Sequence, residues 1–373
     1  IDPINGIEGI RDLAVRDGKI VEVEESLSAQ LAESVIDLSG RVVVPGIIDS
    51  HVHLNDIGLR MVAKTGVVTA IDFSGDKDIL QKAIDGENSP GINVGFLKPA
   101  IPGKTLSSPS PSKEEQERFL DSAIADGALG IKILGGHYPL EPHAFRELLQ
   151  NAVDRSIFVA AHVGTTRYSS DIYGLKEAIE LANGYPLYIA HVNSYCRGRS
   201  GKHPVVEAGE AITLISNARN IISESYVASI NGTSGRIVNG IPDSRVTRTC
   251  LIEGGFNCTE EGMEKAIISG YAWVTAKQGG EMINITGLKA VEYWRSKGTD
   301  VGLSFNVNSL AVCSALAVAK DTDGNFVIDI LSTDGGRIPR NTLITSGLAL
   351  YRMGALSLKE FVEKASSTPA RVF

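Results

Sequence analysis

The chain has 373 residues, a formal net charge of −8, a pI near 5.5, 43% hydrophobic residues and a mean hydropathy of +0.04. Such a chain can bury a large core, and its acidic balance argues against a nucleic-acid surface, which needs clustered Lys and Arg. It contains no apolar run approaching the roughly 20 residues of a membrane helix and no signal-peptide pattern, so a small-molecule ligand is expected and no membrane partner.

In chain order, Asp12-Leu13-Ala14-Val15-Arg16, a turn at Asp17-Gly18 and Lys19-Ile20-Val21-Glu22-Val23 predict an antiparallel hairpin. It belongs to the N-terminal part of a small β-domain over 1–44. From Pro45 onward strands and helices alternate, which predicts an α/β chain folded as a (β/α)8 TIM barrel over 45–373. Strand one is Pro45-Gly46-Ile47-Ile48-Asp49-Ser50-His51-Val52-His53. Side chains on a strand alternate faces, so His51 and His53 point one way and Val52 the other. Strand two is Val67–Phe73 and strand three Ile92–Leu97. Ser112-Lys113-Glu114-Glu115 reads as a capping box opening a helix that ends near Gly127.

Strands four, five and six are Gly130–Leu134, Phe158–His162 and Leu187–His191. They carry Lys132, His162 and His191, spaced 30 and 29 residues apart, about one βα unit each. A helix over Val205–Ala218 leads to strand seven, Asn220–Val227. Residues 229–325 then exceed what a barrel unit needs and predict an insertion covering the active-site mouth. Strand eight, Phe326–Asp334, delivers a carboxylate just before Gly335-Gly336. Parallel barrels build their sites at these strand ends.

Each of these residues alone has a bland explanation. A single strand-end histidine is more often a hydrogen-bonded structural residue, Asp-Gly-Gly is more often a turn, and a strand-end lysine can snorkel to solvent. Jointly they change the reading. His-x-His after Pro-Gly-x-x-Asp, followed by Lys, His, His and Asp in that order, resembles the amidohydrolase superfamily of metal-dependent hydrolases, from about Ile10 to Phe373. The lysine is similar to that of the hydantoinase and dihydroorotase branch. There it is carboxylated and bridges two divalent metals.

The resemblance implies a metal set of His51, His53, Lys132, His162, His191 and Asp334, with two divalent ions, zinc by donor type, and carboxylated Lys132 between them. His51 and His53 would hold one ion, and His162 and His191 the other. Asp334 would ligate one ion and act as the catalytic base that takes a proton from the attacking water and returns it to the leaving nitrogen. The chain has no GxSxG elbow, consistent with hydrolysis without a protein nucleophile. The resemblance also implies that strands after the last barrel helix complete the small β-domain, so that it is incomplete here.

Candidate substrate-binding residues are His137, which closely follows Lys132, Arg167 and Tyr168 after His162, and Arg197 and Arg199 in the basic loop after His191. An arginine there could clamp a substrate carboxylate through two parallel bonds; a solvated charged loop is the plainer reading. His143, at a helix start, reads as a surface residue, and His203 lies in the same basic loop. Gly127-Ala128-Leu129-Gly130, Tyr138-Pro139-Leu140, Glu224-Ser225-Tyr226 and the long insertion resemble the N-acyl-D-amino-acid deacylases of the superfamily. Those usually have His-x-Asp extending the first motif and a cysteine after strand two, whereas here Leu54-Asn55-Asp56 follows His53 and strand two ends Ile71-Asp72-Phe73-Ser74-Gly75.

The expected activity is therefore metal-dependent hydrolysis of a carbon–nitrogen amide bond in an N-acyl amino acid, dipeptide or cyclic amide. An esterase or lactonase using the same binuclear site is the alternative, and a non-catalytic metal-binding scaffold a third. Cys196, Cys250, Cys258 and Cys313 show neither CxxC spacing nor a disulfide framework, as suits a reducing compartment, and a cytoplasmic location is expected. Cys196 reads as a free buried thiol. A homo-oligomer stays open, as does a leader ahead of Ile1.

Overall fold

The computed structural model describes residues Ile1–Phe373. Its frame is a set of parallel strands, β1 (Ile47–His53), β2 (Val67–Asp72), β3 (Asn93–Ala100), β4 (Gly130–Leu134), β5 (Phe158–His162), β6 (Leu187–Ile189), β7 (Ile221–Tyr226) and β8 (Ile330–Ser332). They pair in sequence order. β8 lies against β7, and its continuation, Gly335–Gly336, lies against Val52–His53 of β1. The first and last members of the strand order are thus one stretch of chain, and the sheet curls back on itself as a distorted (β/α)8 barrel. β4 is buried along its whole length, as expected of a parallel strand covered on both faces.

Helices α1 (Asp56–Lys64), α2 (Lys77–Ile84), α3 (Lys113–Ala125), α4 (Pro142–Asp154), α5 (Ile172–Ala182) and α6 (Pro204–Ser216) follow the first six strands. Asn55, Asp76, Ser112 and Asp171 cap four of them by accepting backbone N–H bonds. The expected box at Ser112 is half formed. Ser112 Oγ accepts from the Glu115 N–H at 3.3 Å, but the Glu115 carboxylate turns away to the hydroxyl of Ser107 at 2.7 Å. The main core lies between strands and outer helices, and includes Ile131, Ile133, Phe145, Leu148 and Val159. Inside the barrel a smaller cluster of Ile71, Phe73, Leu97, Tyr188 and Ile330 fills the space beneath the strand ends, with Phe373 packed against it.

Two strands stop short of their expected ends for the same reason. β6 ends at Ile189 because His191 takes a left-handed backbone (φ 35°), and β8 breaks because Asp334 does too (φ 49°). Thr333, between β8 and Gly335, is held instead by Asp49 of β1, which accepts its N–H at 3.1 Å. At the other end of β8, Phe326 is drawn into an antiparallel bridge with Lys320. Beneath the barrel the buried Lys364 ammonium donates to the Ile328 carbonyl.

Between β7 and β8 the chain builds a four-stranded antiparallel sheet from Ile230–Ser234, Gly302–Asn306, Ala272–Gln278 and Glu281–Ile285. With helices α7 (Arg245–Glu253), α8 (Glu260–Ile268) and α9 (Leu288–Ser296) it forms a core of its own around Trp294 and Phe305. This insertion is tied to the loop after β5: the Arg245 guanidinium donates to the Thr165 carbonyl at 3.0 Å and to Ser169 Oγ at 2.8 Å. The N-terminal strands Asp12–Arg16 and Lys19–Glu24 form a separate hairpin. No helix is long and apolar enough to cross a membrane.

Candidate metal centre

β1 places His51 and His53 on one face with ring centroids 5.5 Å apart, while Val52 is buried in the packing on the other side. His51 is fully buried, and its Nδ1 meets the carboxylate of Glu224 from the end of β7. A carboxylate facing Nδ1 fixes the proton there and leaves the Nε2 lone pair free for a cation. Nε2 lies 2.9 Å from Lys132 Nζ and 3.4 Å from Asp334 Oδ1. His53 Nε2 is 2.9 Å from the same Asp334 oxygen, and its Nδ1 is 2.8 Å from Ser74 Oγ.

The left-handed turn at His191 swings its ring over His51, with centroids 5.2 Å apart, and its N–H donates to Glu224 Oε1 at 3.2 Å. Its Nδ1 is buried with no protein partner. Ligand atoms of His51, His191 and Asp334 lie within 4.8 Å of one another. This buried triad of two imidazoles and a carboxylate is a metal-binding site, and the orphaned His191 nitrogen is the kind of vacancy in hydrogen bonding that a coordinated cation satisfies.

The remaining expected ligands converge on the triad. The His162 ring stands edge-on to His191 at 4.4 Å, with Nε2 2.7 Å from Ser170 Oγ. It fits only because residue 136 is glycine: a Cβ there would lie 2.0 Å from Nε2. Lys132 is buried, with its ammonium over the Phe73 ring at 4.8 Å. Burial lowers its pKa to about 8 against the pull of Asp334 and Glu224. Burial also holds His51, His162 and His191 well below the ordinary imidazole range, so all three are neutral, as ligands must be. Glu224 is pushed up to about 7, again chiefly by burial.

Asp334 behaves differently. Burial pushes its pKa up, but the Arg340 guanidinium, with a hydrogen bond from His53, outweighs that and keeps it well below the usual carboxylate range. Arg340 is an ion-pair partner of the carboxylate, and its Nε donates to the Asp334 carbonyl at 2.7 Å. The same guanidinium donates to Tyr226 Oη at 3.1 Å and to the Ile230 carbonyl at 2.7 Å. Glu224 and Arg340 were not singled out as site residues from the sequence. Glu224 carried a signal, a lone carboxylate in the apolar strand Ile221-Ile222-Ser223-Glu224. Arg340, in a loop of no marked pattern, carried none.

The substrate-side candidates separate. His137 stands 5.0 Å from the His162 ring, with Nδ1 3.1 Å from Ser244 Oγ of the insertion. Arg197 donates through Nε to Asn308 Oδ1 at 2.8 Å, while its Nη2 is buried without a partner. Arg199 is neutralised by Glu253 and also donates to the Ser170 carbonyl at 3.0 Å. Arg167 and Tyr168 are exposed and stack on one another, 5.0 Å from guanidinium to ring. His143 bonds Ser110 at 2.9 Å in an exposed setting, and His203 caps α6. Cys196 is buried, which pushes its thiol pKa up.

No protein-family model matches the chain. A dihydroorotase of Citrifermentans bemidjiense is 46% identical over 384 residues, covering 100% of this chain and 83% of the relative. The chain belongs to the dihydroorotase family of the amidohydrolase superfamily. A dihydroorotase of Geobacter sp. strain M21 is 44% identical over the same shares, 100% and 83%. Among solved structures, the N-acyl-D-glutamate deacylase of Bordetella bronchiseptica, complexed with zinc and a phosphonate inhibitor, superposes with a TM-score of 0.66 at 16% identity, over 97% of this chain and 81% of that one. The D-hydantoinase of Thermus sp. gives 0.57, also at 16%, over 97% and 78%. At that identity they share the fold. Family and buried triad together make the chain a metal-dependent hydrolase of carbon–nitrogen bonds.

Proposed function

We propose that this dihydroorotase-family chain hydrolyses the ring amide of a small cyclic substrate carrying a carboxylate, of the dihydroorotate kind. The observation that carries the reading is the buried His51–His191–Asp334 triad with neutral imidazoles and an orphaned His191 nitrogen. His51, His53, His162, His191 and Asp334 would hold two divalent ions, taken as zinc, and Lys132 would share in holding them. The Lys132 amine, partly unprotonated near neutral pH, adds carbon dioxide and releases a proton, giving a two-oxygen carbamate ligand. Bound there, the ions supply Lewis acidity and lower the pKa of a water.

The chain's own groups do the rest. Asp334 enters as a carboxylate held by Arg340, accepts the water's proton and passes it to the departing ring nitrogen. Glu224 keeps the proton of His51 on Nδ1, so that Nε2 stays a donor of electrons. Arg197 has a buried nitrogen without a partner and no carboxylate neutralising it, which supports it as the clamp for the substrate carboxylate. Arg199, already paired with Glu253, is the weaker candidate, and Arg167 with Tyr168 can act only at the outer rim.

The test is turnover by metal-reconstituted protein on dihydroorotate, hydantoins, N-acyl amino acids, dipeptides and lactones, alongside metal content and the mass of the peptide containing Lys132. Cleavage of cyclic amides, two ions per chain and a carboxylated lysine are expected. Cleavage of lactones alone would overturn the amide reading in favour of the esterase alternative, and one ion with unmodified Lys132 would overturn the bridge.

A further inference from the structure

The insertion reaches into the centre through a line of hydroxyls whose direction can be worked out. Thr247 Oγ1 lies 2.6 Å from the Ser234 carbonyl, Thr233 Oγ1 2.9 Å from Thr247 Oγ1, Ser244 Oγ 3.1 Å from Thr233 Oγ1, and His137 Nδ1 3.1 Å from Ser244 Oγ. A carbonyl only accepts, so Thr247 must give its single proton to Ser234. Thr233 must then donate to Thr247, Ser244 to Thr233, and Ser244 is left with nothing to offer His137. The imidazole must be the donor. Ser244 also caps α7, accepting the Thr247 N–H at 3.5 Å, so its two lone pairs and one proton are all used. Reversing the chain would press two unprotonated oxygens together at 2.6 Å, with Ser244 and Thr247 fully buried.

We propose that this Ser244–Thr233–Thr247 relay locks His137 as its Nδ1–H tautomer and so presents Nε2 as a hydrogen-bond acceptor that selects substrates with an N–H next to the scissile carbonyl. Nε2 has no hydrogen-bond partner in the protein and is not among the fully buried unpaired atoms, and the ring stands 5.0 Å from that of His162 beside the metal triad. A bare acceptor favours an amide N–H and opposes the ring oxygen of a lactone, whose lone pairs face it with nothing to donate. Sites built on one polar partner discriminate strongly against an analogue lacking it, because the partner is then left unpaired. The relay belongs to the insertion, so the barrel supplies the metal site while the insertion sets which bond is admitted. The selectivity part rests on the amide-hydrolase reading above; the tautomer does not.

The test uses metal-loaded protein labelled with 15N-histidine, and a matched set of cyclic amide, N-methyl amide and lactone. NMR should show His137 with a protonated Nδ1 and an unprotonated Nε2 in the wild type, and a mixture of tautomers in Ser244→Ala. Each compound is scored by kcat/KM if cleaved and by its inhibition constant if not. The preference of the N–H amide over the other two should fall at least tenfold in Ser244→Ala and in His137→Phe, with Thr247→Val intermediate. A wild-type Nε2–H tautomer, a metal on Nε2, or an unchanged preference in both variants overturns the proposal. Failure to cleave any amide, with the preference still present in the inhibition constants, counts against the proposed function alone.

Discussion

Replacing Glu224 by Gln tests whether the centre's metal affinity is set one shell away from the metal. Glu224 is fully buried and accepts from His51 Nδ1, from the His191 N–H at 3.2 Å and from Tyr188 Oη at 3.0 Å. Gln keeps an oxygen for the two histidine donors and turns its amide toward Tyr188, whose oxygen can accept. Shape and bond count survive; the negative charge does not. Hydrogen bonds to a charged group contribute about 1.5–3 kcal/mol against about 0.5–1.5 for neutral ones. The His51 bond therefore weakens by about 1–2 kcal/mol, or about 5- to 30-fold in metal dissociation constant, overlapping the roughly 10–100-fold typical of such partners. Competition against a fluorescent chelator at pH 8, above the raised Glu224 value of about 7, would read it. Glu224→Ala should in addition unfold at lower temperature, because three buried donors lose their acceptor at about 1–3 kcal/mol each. Metal affinity of Glu224→Gln within twofold of wild type would refute the reasoning.

Asp334→Asn should keep the fold and lower turnover by about a hundredfold to ten-thousandfold, since Asn ligates but takes no proton; stopped-flow or steady-state assays with metal content measured in parallel decide it, and activity within a factor of a few means another base. Arg197→Ala should lower kcat/KM on a carboxylate-bearing substrate by tens-fold or more, roughly the loss of one charge-assisted pair, while Arg199→Ala, already paired, should change it less; the reverse order would move the clamp to Arg199. Lys364 titrates at about 7 when folded, because burial lowers it against the pull of Asp329, and near 10.5 when unfolded. Between those values the unfolded chain holds the extra proton, so wild-type stability rises with pH across that window. Lys364→Met should therefore gain most relative to wild type at pH 6 and least at pH 10 in urea unfolding, and a pH-independent difference would show that the ammonium carries no burial cost.

The barrel was legible because its signals are local. Period-two placement of His51 and His53 about Val52, apolar runs at β4 to β6 and their even spacing are all properties of consecutive residues. What was not legible depends on the backbone leaving the strand. His191 and Asp334 reach the centre from left-handed positions just past β6 and β8, conformations that cost a non-glycine residue energy and are not encoded by periodicity. Which residue partners each site histidine was not legible for another reason: Glu224, whose charge in an apolar strand marks it as unusual, lies 173 residues from His51, and Ser244 lies 107 from His137. The insertion sheet could be expected from an overlong connection, but not its strand order, since antiparallel pairing among short strands is settled by their shared core around Trp294 and Phe305.

That division has a physical consequence for how the family's chemistry can be varied. His51, His53 and His162 sit on strands that the barrel's core holds rigid, so these donors are placed by packing, whereas Asp334 stands past the end of β8. Both contacts that steer the reaction cross to the insertion. Arg340 holds Asp334 with one edge and the Ile230 carbonyl with another, and His137 takes its proton position from Ser244. Moving the insertion by an ångström would therefore shift the base and the selecting imidazole together while leaving His51 and Glu224 in place. Substitutions in the Trp294 core that loosen the insertion should accordingly reduce turnover and amide preference in step, with metal affinity falling much less, because Asp334 is the one triad member tied to the insertion through Arg340. Loss of metal in step with turnover would mean that the insertion holds the centre itself.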